Sequence, residues 1–182
     1  MTAKTKNRIQ CVAVLAIIAL CSGLLLGAFN LLTYVDPFQS TLDGFKKDSG
    51  AEGEFTMVVA DEPVNYGTGQ IVYYAVSDDE VPVHAFLAGG SGGYQGTVQI
   101  YVYVRDNKIY KIVIGENSET FLGKLDDANY YENFYDKDLT ELSDFNDVDT
   151  VSGATLSSTA VRNGVNAVVR YYNEEISKGG KA

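Results

Sequence analysis

Tryptophan is absent from this 182-residue chain, which also has only one histidine, His84, and two cysteines, Cys11 and Cys21. Both cysteines fall inside one hydrophobic run. Ten residues apart on a helix, they would stand about 15 Å apart, too far to bridge each other. No thiol remains elsewhere, so the rest of the chain can hold neither a disulfide nor a cysteine-ligated iron–sulfur cluster. A lone histidine likewise makes a histidine-based metal site improbable, and His84 reads as a strand-end side chain near a turn. No G-x-G-x-x-G fingerprint follows a strand, so nothing points to dinucleotide binding. Redox chemistry in such a chain would have to come from an organic cofactor.

Positive charge is also scarce and unevenly placed. The net charge is −10, and no Asp or Glu precedes Asp36. Removing Lys4, Lys6 and Arg8 from the 14 basic residues leaves 11 against 24 acidic ones, a balance of −13 beyond the hydrophobic run. A surface of that sign repels phosphate backbones and argues against nucleic acid as a partner. Hydrophobic residues make up 46% of the chain, which excludes disorder and suits one compact domain plus an anchor.

The long apolar run is CVAVLAIIALCSGLLLGAF, residues 11–29, in which Ser22 is the only clearly polar member. As a helix it spans roughly 28 Å, close to the thickness of a bilayer core. Lys4, Lys6 and Arg8 before it favour a cytoplasmic N-terminus and an exported remainder. A cleaved signal peptide is the rival reading, but the run lacks a convincing small-residue cleavage site. A lipoprotein acylated at Cys21 would want a small residue where Leu20 stands. The expected organisation is a cytoplasmic N-terminus over 1–8, a transmembrane anchor over 9–33, a juxtamembrane connector over 34–53 and an extracytoplasmic domain over 54–178. Within the anchor, Ala19, Gly23 and Gly27 share a face where another membrane helix could approach closely.

In the connector, Pro37 opens a short helix-like stretch and DSGAEGE marks a loop. Strands follow. FTMVVA (55–60), QIVYYAV (70–76) and VPVHAFLA (81–88) are short, β-branched or aromatic, and bounded by Gly, Asn and Asp. TVQIYVYV (97–104) and KIYKIVIG (108–115) alternate apolar and polar residues about a turn at Arg105-Asp106-Asn107. Between VPVHAFLA and TVQIYVYV lies GGSGGYQG, Gly89 to Gly96, whose five glycines allow close passage of a ligand or simply a floppy turn. From Leu122 to Asp149 the composition predicts short helical turns and loops. From Ser157 to about Ile176, apolar residues at Val161, Val165, Val168 and Tyr172 predict one long helix, closed by Lys178 and a Gly-Gly pair. The predicted class is α+β: an N-terminal transmembrane helix, then an antiparallel sheet with a long C-terminal helix.

The segment Asp149-Thr150-Val151-Ser152-Gly153-Ala154-Thr155 runs directly into that helix. On local physics, hydroxyls at Ser152, Thr155, Ser157 and Ser158 around a helix N-terminus suit a phosphate. An ordinary N-cap would need only one of them, and is the commoner use of such residues.

DTVSGATLSS resembles the flavinylation motif D-x-x-S/T-G-A-T/S of the FMN-binding domain family shared by the RnfG and NqrC subunits. By ordinary residue frequencies a chance match is on the order of one in a thousand. Gly92-Gly93-Tyr94-Gln95-Gly96 is similar to that family's Gly-Tyr-Gly-type turn. Glu119-Thr120-Phe121-Leu122-Gly123 is similar to its E-T-P-G-type loop, with Phe121 standing where the family usually has proline. The length between anchor and motif suits RnfG more than NqrC, which is commonly longer there.

The resemblance implies FMN held by a phosphoester to Thr155, made by a flavin transferase during maturation. Asp149, Ser152, Gly153 and Ala154 would complete the recognised sequence. Glu119, Thr120 and the backbone of Leu122 and Gly123 would contact the flavin ring, with Tyr94 or Phe121 stacking nearby, unless those aromatics serve the core. It further implies an electron-relay subunit of a cell-membrane Rnf-type complex, which couples ferredoxin:NAD oxidoreduction to Na⁺ or H⁺ translocation, with other membrane subunits as partners. Two alternatives stand beside it. One is an NqrC-like subunit of a Na⁺-pumping quinone reductase or a stand-alone extracellular electron carrier. The other is a non-redox exported binding or regulatory module.

Overall fold

The computed structural model describes residues 3–33 and 38–178, with side chains from Val12 onward. Tyr34, Pro37 and the Gly179-Gly180 pair lie outside the described residues, as do the side chains of Lys4, Lys6, Arg8 and Cys11. The chain divides into two units between Gln39 and Ser40.

The first unit is one helix, α1 (Ala3–Thr33). Within it Val12–Thr33 carries no charged residue and is long and apolar enough to cross a membrane. At 1.5 Å per residue those 22 residues extend about 33 Å. A membrane span and an N-terminal signal sequence both meet that description. Its large side chains point outward all round, Leu32 being 83% exposed. A helix apolar on every face is suited to lipid rather than water.

The second unit is a three-layer sandwich of helix, sheet and helix. Strands β1 (Phe55–Val59), β2 (Val64–Tyr66), β3 (Gly69–Ser77), β4 (His84–Gly93), β5 (Gly96–Arg105) and β6 (Lys108–Ile114) form one antiparallel sheet. The order is β1-β3-β4-β5-β6, with β2 also paired to β3. Alternation along β4 and β5 separates the two faces. Phe86, Ala88, Val98, Ile100 and Val102 face the long helix α4 (Thr155–Tyr171) in one apolar cluster. Ala85, Leu87 and Tyr103 face the helix α2 (Gln39–Ser49) in another, around the fully buried Phe45. Residues 40–53, read from sequence as a connector, are thus α2 and the loop that seats it.

Two elements depart from the sequence reading. β4 begins at His84 rather than Val81, because Pro82 offers no N–H and Val83 N–H bonds Ser77 Oγ at 2.9 Å instead of a ladder partner. The glycine run is the second half of β4, ending in a tight turn at Tyr94-Gln95 where Gly93 pairs with Gly96. What approaches those glycines is α4. A Cβ on Gly90 would overlap the carbonyl oxygen of Ala160 and lie 2.6 Å from Gly164 N. A Cβ on Gly69 of β3 would likewise overlap α4, meeting the carbonyl oxygen of Asn163 and lying 2.9 Å from the Ala167 methyl. β2, three residues long, gave too short a pattern to anticipate. The turn at Asp106-Asn107 has φ of 51° and 62°, the doubly left-handed form that suits the twist of a two-residue hairpin.

After β6 the chain forms α3 (Leu122–Asp127), two 3₁₀ turns and an irregular loop before entering α4. Val161, Val165, Val168 and Tyr172 are all buried, as their spacing predicts. The helix begins at Thr155, two residues earlier than the periodicity suggests, and relaxes into a π-turn at Tyr172–Ile176.

Candidate functional site

The start of α4 is built to leave its end open. Its N-cap is Ala154, which has no side-chain oxygen, and no side chain accepts from the N–H groups of Thr155, Leu156 or Ser157 among the described residues. Those groups carry the positive end of the helix dipole. The hydroxyl that could have capped them is used behind the turn. Buried Ser158 accepts from Val151 N–H at 3.0 Å and donates to Ala154 O at 2.9 Å. Gly153 makes the reversal at φ 74°. Tyr130, whose hydroxyl burial pushes up to about 12, remains a donor to Ser158 O. Arg162 donates to the carbonyls of Val148 and Asn146, so the loop entering the motif is held against α4.

Four hydroxyls were candidates for a phosphate, and the fold divides them. Ser157 and Ser158 are buried and engaged, whereas Ser152 and Thr155 are exposed with no side-chain hydrogen bond. The simple cap is therefore not what this sequence makes here.

A cavity of about 190 Å³ opens beside Thr155, lined by Tyr94, Phe121, Gly153, Ala154, Thr155, Leu156 and Ser157. Tyr94 and Phe121 meet edge to face, with centroids 5.5 Å apart and planes at 79°. Tyr94 is 62% exposed and Leu156 52%, an apolar rim that water covers poorly. Tyr94 therefore stands at the cavity mouth, whereas Phe121 is half-buried and packs against the core cluster as well as lining the cavity.

Glu119 ties the site's three segments together. Its carboxylate accepts from Gln95 N–H in the β4–β5 turn at 3.0 Å and from Ser157 Oγ in α4 at 2.6 Å. Thr120 Oγ1 accepts from Gln95 Nε2 at 3.0 Å. Glu119 also lines a neighbouring polar cavity of about 440 Å³ with Gln95, Thr97, Gln99 and Asn117.

Of the residues expected at the site, Tyr94, Gly153, Ala154 and Thr155 line the cavity, and Glu119 and Thr120 fasten its rim. Asp149 and Ser152 are exposed on the preceding loop and line no part of it. Leu122 and Gly123 sit in the first turn of α3, away from the lining, and Gly123 faces open space. Three participants escaped the sequence reading. Gln95 and Leu156 carry no pattern that marks them. Lys124, whose Nζ donates to Gly153 O at 3.2 Å, did leave a signal as one of only two cations in the acidic stretch 122–149.

An exposed alcohol at an uncapped helix N-terminus, beside an aromatic-walled hollow, fits a phosphate ester with a planar ring system. No metal-binding group of His, Cys, Asp or Glu occurs among the described residues. Comparison with curated proteins and with solved structures gives no match. Residues 93–170, from the end of β4 through nearly all of α4, match the family model described as the FMN-binding domain.

Proposed function

We propose that this chain carries FMN esterified through its phosphate to Thr155 and relays electrons as an extracytoplasmic, membrane-anchored subunit of an Rnf-type complex. Such a complex couples electron flow between reduced ferredoxin and NAD to movement of Na⁺ or H⁺. The observation that carries the reading is the position of D-x-x-S-G-A-T. The motif lies inside the matched domain and delivers its final threonine, exposed and unbonded, to the rim of the aromatic cavity. In the attachment step, Thr155 Oγ forms the new bond to phosphorus and gives up its proton. The phosphoanhydride bond of a flavin dinucleotide, brought by a transferase, breaks as that bond forms; the nucleoside monophosphate leaves, and the transferase takes up the proton. Asp149 and Ser152, exposed and outside the cavity, are available for the transferase to read.

Bound there, the flavin supplies one- and two-electron redox chemistry that no side chain of this protein can. The chain's own residues hold and shield. The open N–H groups of α4 would receive the phosphate, Tyr94 and Phe121 wall the hollow, and Glu119 keeps the β4–β5 turn against the helix. The ester prevents loss of a cofactor that could not readily be replaced outside the cytoplasm.

The test is intact-mass measurement of chain matured in cells containing a flavin transferase, followed by peptide mapping. One added FMN on the peptide containing Thr155, absent from Thr155→Ala, is the expected result. Unmodified native material would sink the redox reading. Co-purifying membrane subunits then distinguish the Rnf from the Nqr setting.

A further inference from the structure

We propose that Lys124 is the cation that receives the flavin phosphate at Thr155, an inference that rests on the function proposed above. Lys124 lies in α3, and its Nζ reaches across to Gly153 O, 3.2 Å away, while standing 5.4 Å from the centroid of the Phe121 ring. Both of those residues line the cavity. The ammonium sits so close over the turn that a Cβ on Gly153 would come within 2.8 Å of it. Two residues further on is Thr155.

No other described basic side chain makes a hydrogen bond or ring contact to a residue of the cavity lining. Lys111 is committed to Asp48 O and Arg162 to Val148 O, while Arg105 and Lys137 lie over Tyr110 and Phe145. The charge is needed. A phosphodiester keeps one negative charge at neutral pH, and it would be placed on a domain already strongly acidic, with the Glu119 carboxylate bonded into the same helix turn. The helix N-terminus offsets part of that repulsion, and a mobile ammonium supplies the rest.

The present partner of Lys124 is a neutral carbonyl at an exposed position, a weak bond. A phosphate oxygen is a better acceptor for an ammonium, because both partners are then charged. Lysine suits the role, being a compact point charge on a flexible stem that can leave Gly153 O when the phosphate arrives. A purely structural lysine would tie α3 to the motif loop to the same degree whether or not flavin is attached.

That contrast sets the experiment. Full-length chain is matured with a flavin transferase, and Lys124→Gln is made both in the native background and in Thr155→Ala, which has no attachment point. Intact mass gives flavin occupancy, and thermal unfolding is followed at low and high salt. The expected result is a melting temperature lowered by roughly 2–4 °C in the flavin-bearing chain at low salt. The shift shrinks at high salt, vanishes in Thr155→Ala, and is recovered by Lys124→Arg. Loss of flavin uptake in Lys124→Gln with recovery in Lys124→Arg also supports the assignment. An equal shift in both backgrounds overturns it, as does no shift in either, or uptake lost alike in Gln and Arg. If the native chain bears no flavin at all, the proposed function fails first and this inference with it.

Discussion

Replacing Gly90 with alanine tests whether the glycine-rich half of β4 exists to seat a helix or to admit a ligand. The added Cβ would overlap Ala160 O and stand 2.6 Å from Gly164 N and 2.8 Å from Ala160 C. Real Cβ atoms essentially never come within 3.0 Å of such neighbours, and here all three belong to helix backbone. No rotamer change can relieve the clash, so α4 must lift. Lifting it loosens Val161, Val165 and Val168, each fully buried. Overpacking costs about 1–3 kcal/mol where side chains can adjust, and a rigid helix belongs at the upper end. Alanine opposes this by restricting the unfolded chain, worth about 0.4–1 kcal/mol. The net expectation is a loss of about 2–3 kcal/mol, or roughly 5–10 °C in melting temperature for a chain of this size. Far-UV circular dichroism in a urea series, run on flavin-bearing chain and on Thr155→Ala, measures it. A loss below about 0.5 kcal/mol, or one confined to the flavin-bearing form, would refute the helix-seat argument.

Phe45→Ala removes the centre of the α2 cluster and should cost about 3–5 kcal/mol in the same urea assay, a loss no mere linker residue would produce. Glu119→Ala frees the β4–β5 turn from α4. Its bonds are charged but only half-buried, so a modest loss of about 1–2 kcal/mol is expected, with a larger rise in fluorescence-quencher access to bound flavin. Burial holds the His84 imidazole below its ordinary value, and Tyr74 O–H can donate to its Nδ1 only while that nitrogen is unprotonated. The folded state therefore binds fewer protons than the unfolded one. The stability His84 contributes is present above its unfolded pKa near 6.5 and is lost as pH falls through the lower folded value. Thermal unfolding between pH 7.5 and 5 should fall less steeply for His84→Gln than for the native chain.

The sequence by itself determined the anchor-length helix, five of the six strands, the Asp106-Asn107 turn and the buried stripe of α4. Each rests on local rules: run length, the two-residue alternation of a pleated strand, left-handed turn residues and helical periodicity. It also marked Thr155 as the candidate reactive alcohol, because a short motif is contiguous in the chain. Tertiary structure decided the rest. Only folding brings Tyr94, Glu119, Lys124 and Ser157 together, residues up to 63 positions apart whose types carry no common pattern. Only packing shows that Gly90 makes room for a helix and that Phe45 belongs to the domain core. Whether Ser158 caps the helix or braces the turn behind it was equally beyond sequence. A hydroxyl's partner depends on which backbone groups lie within 3 Å or so, and that distance is set by the whole fold.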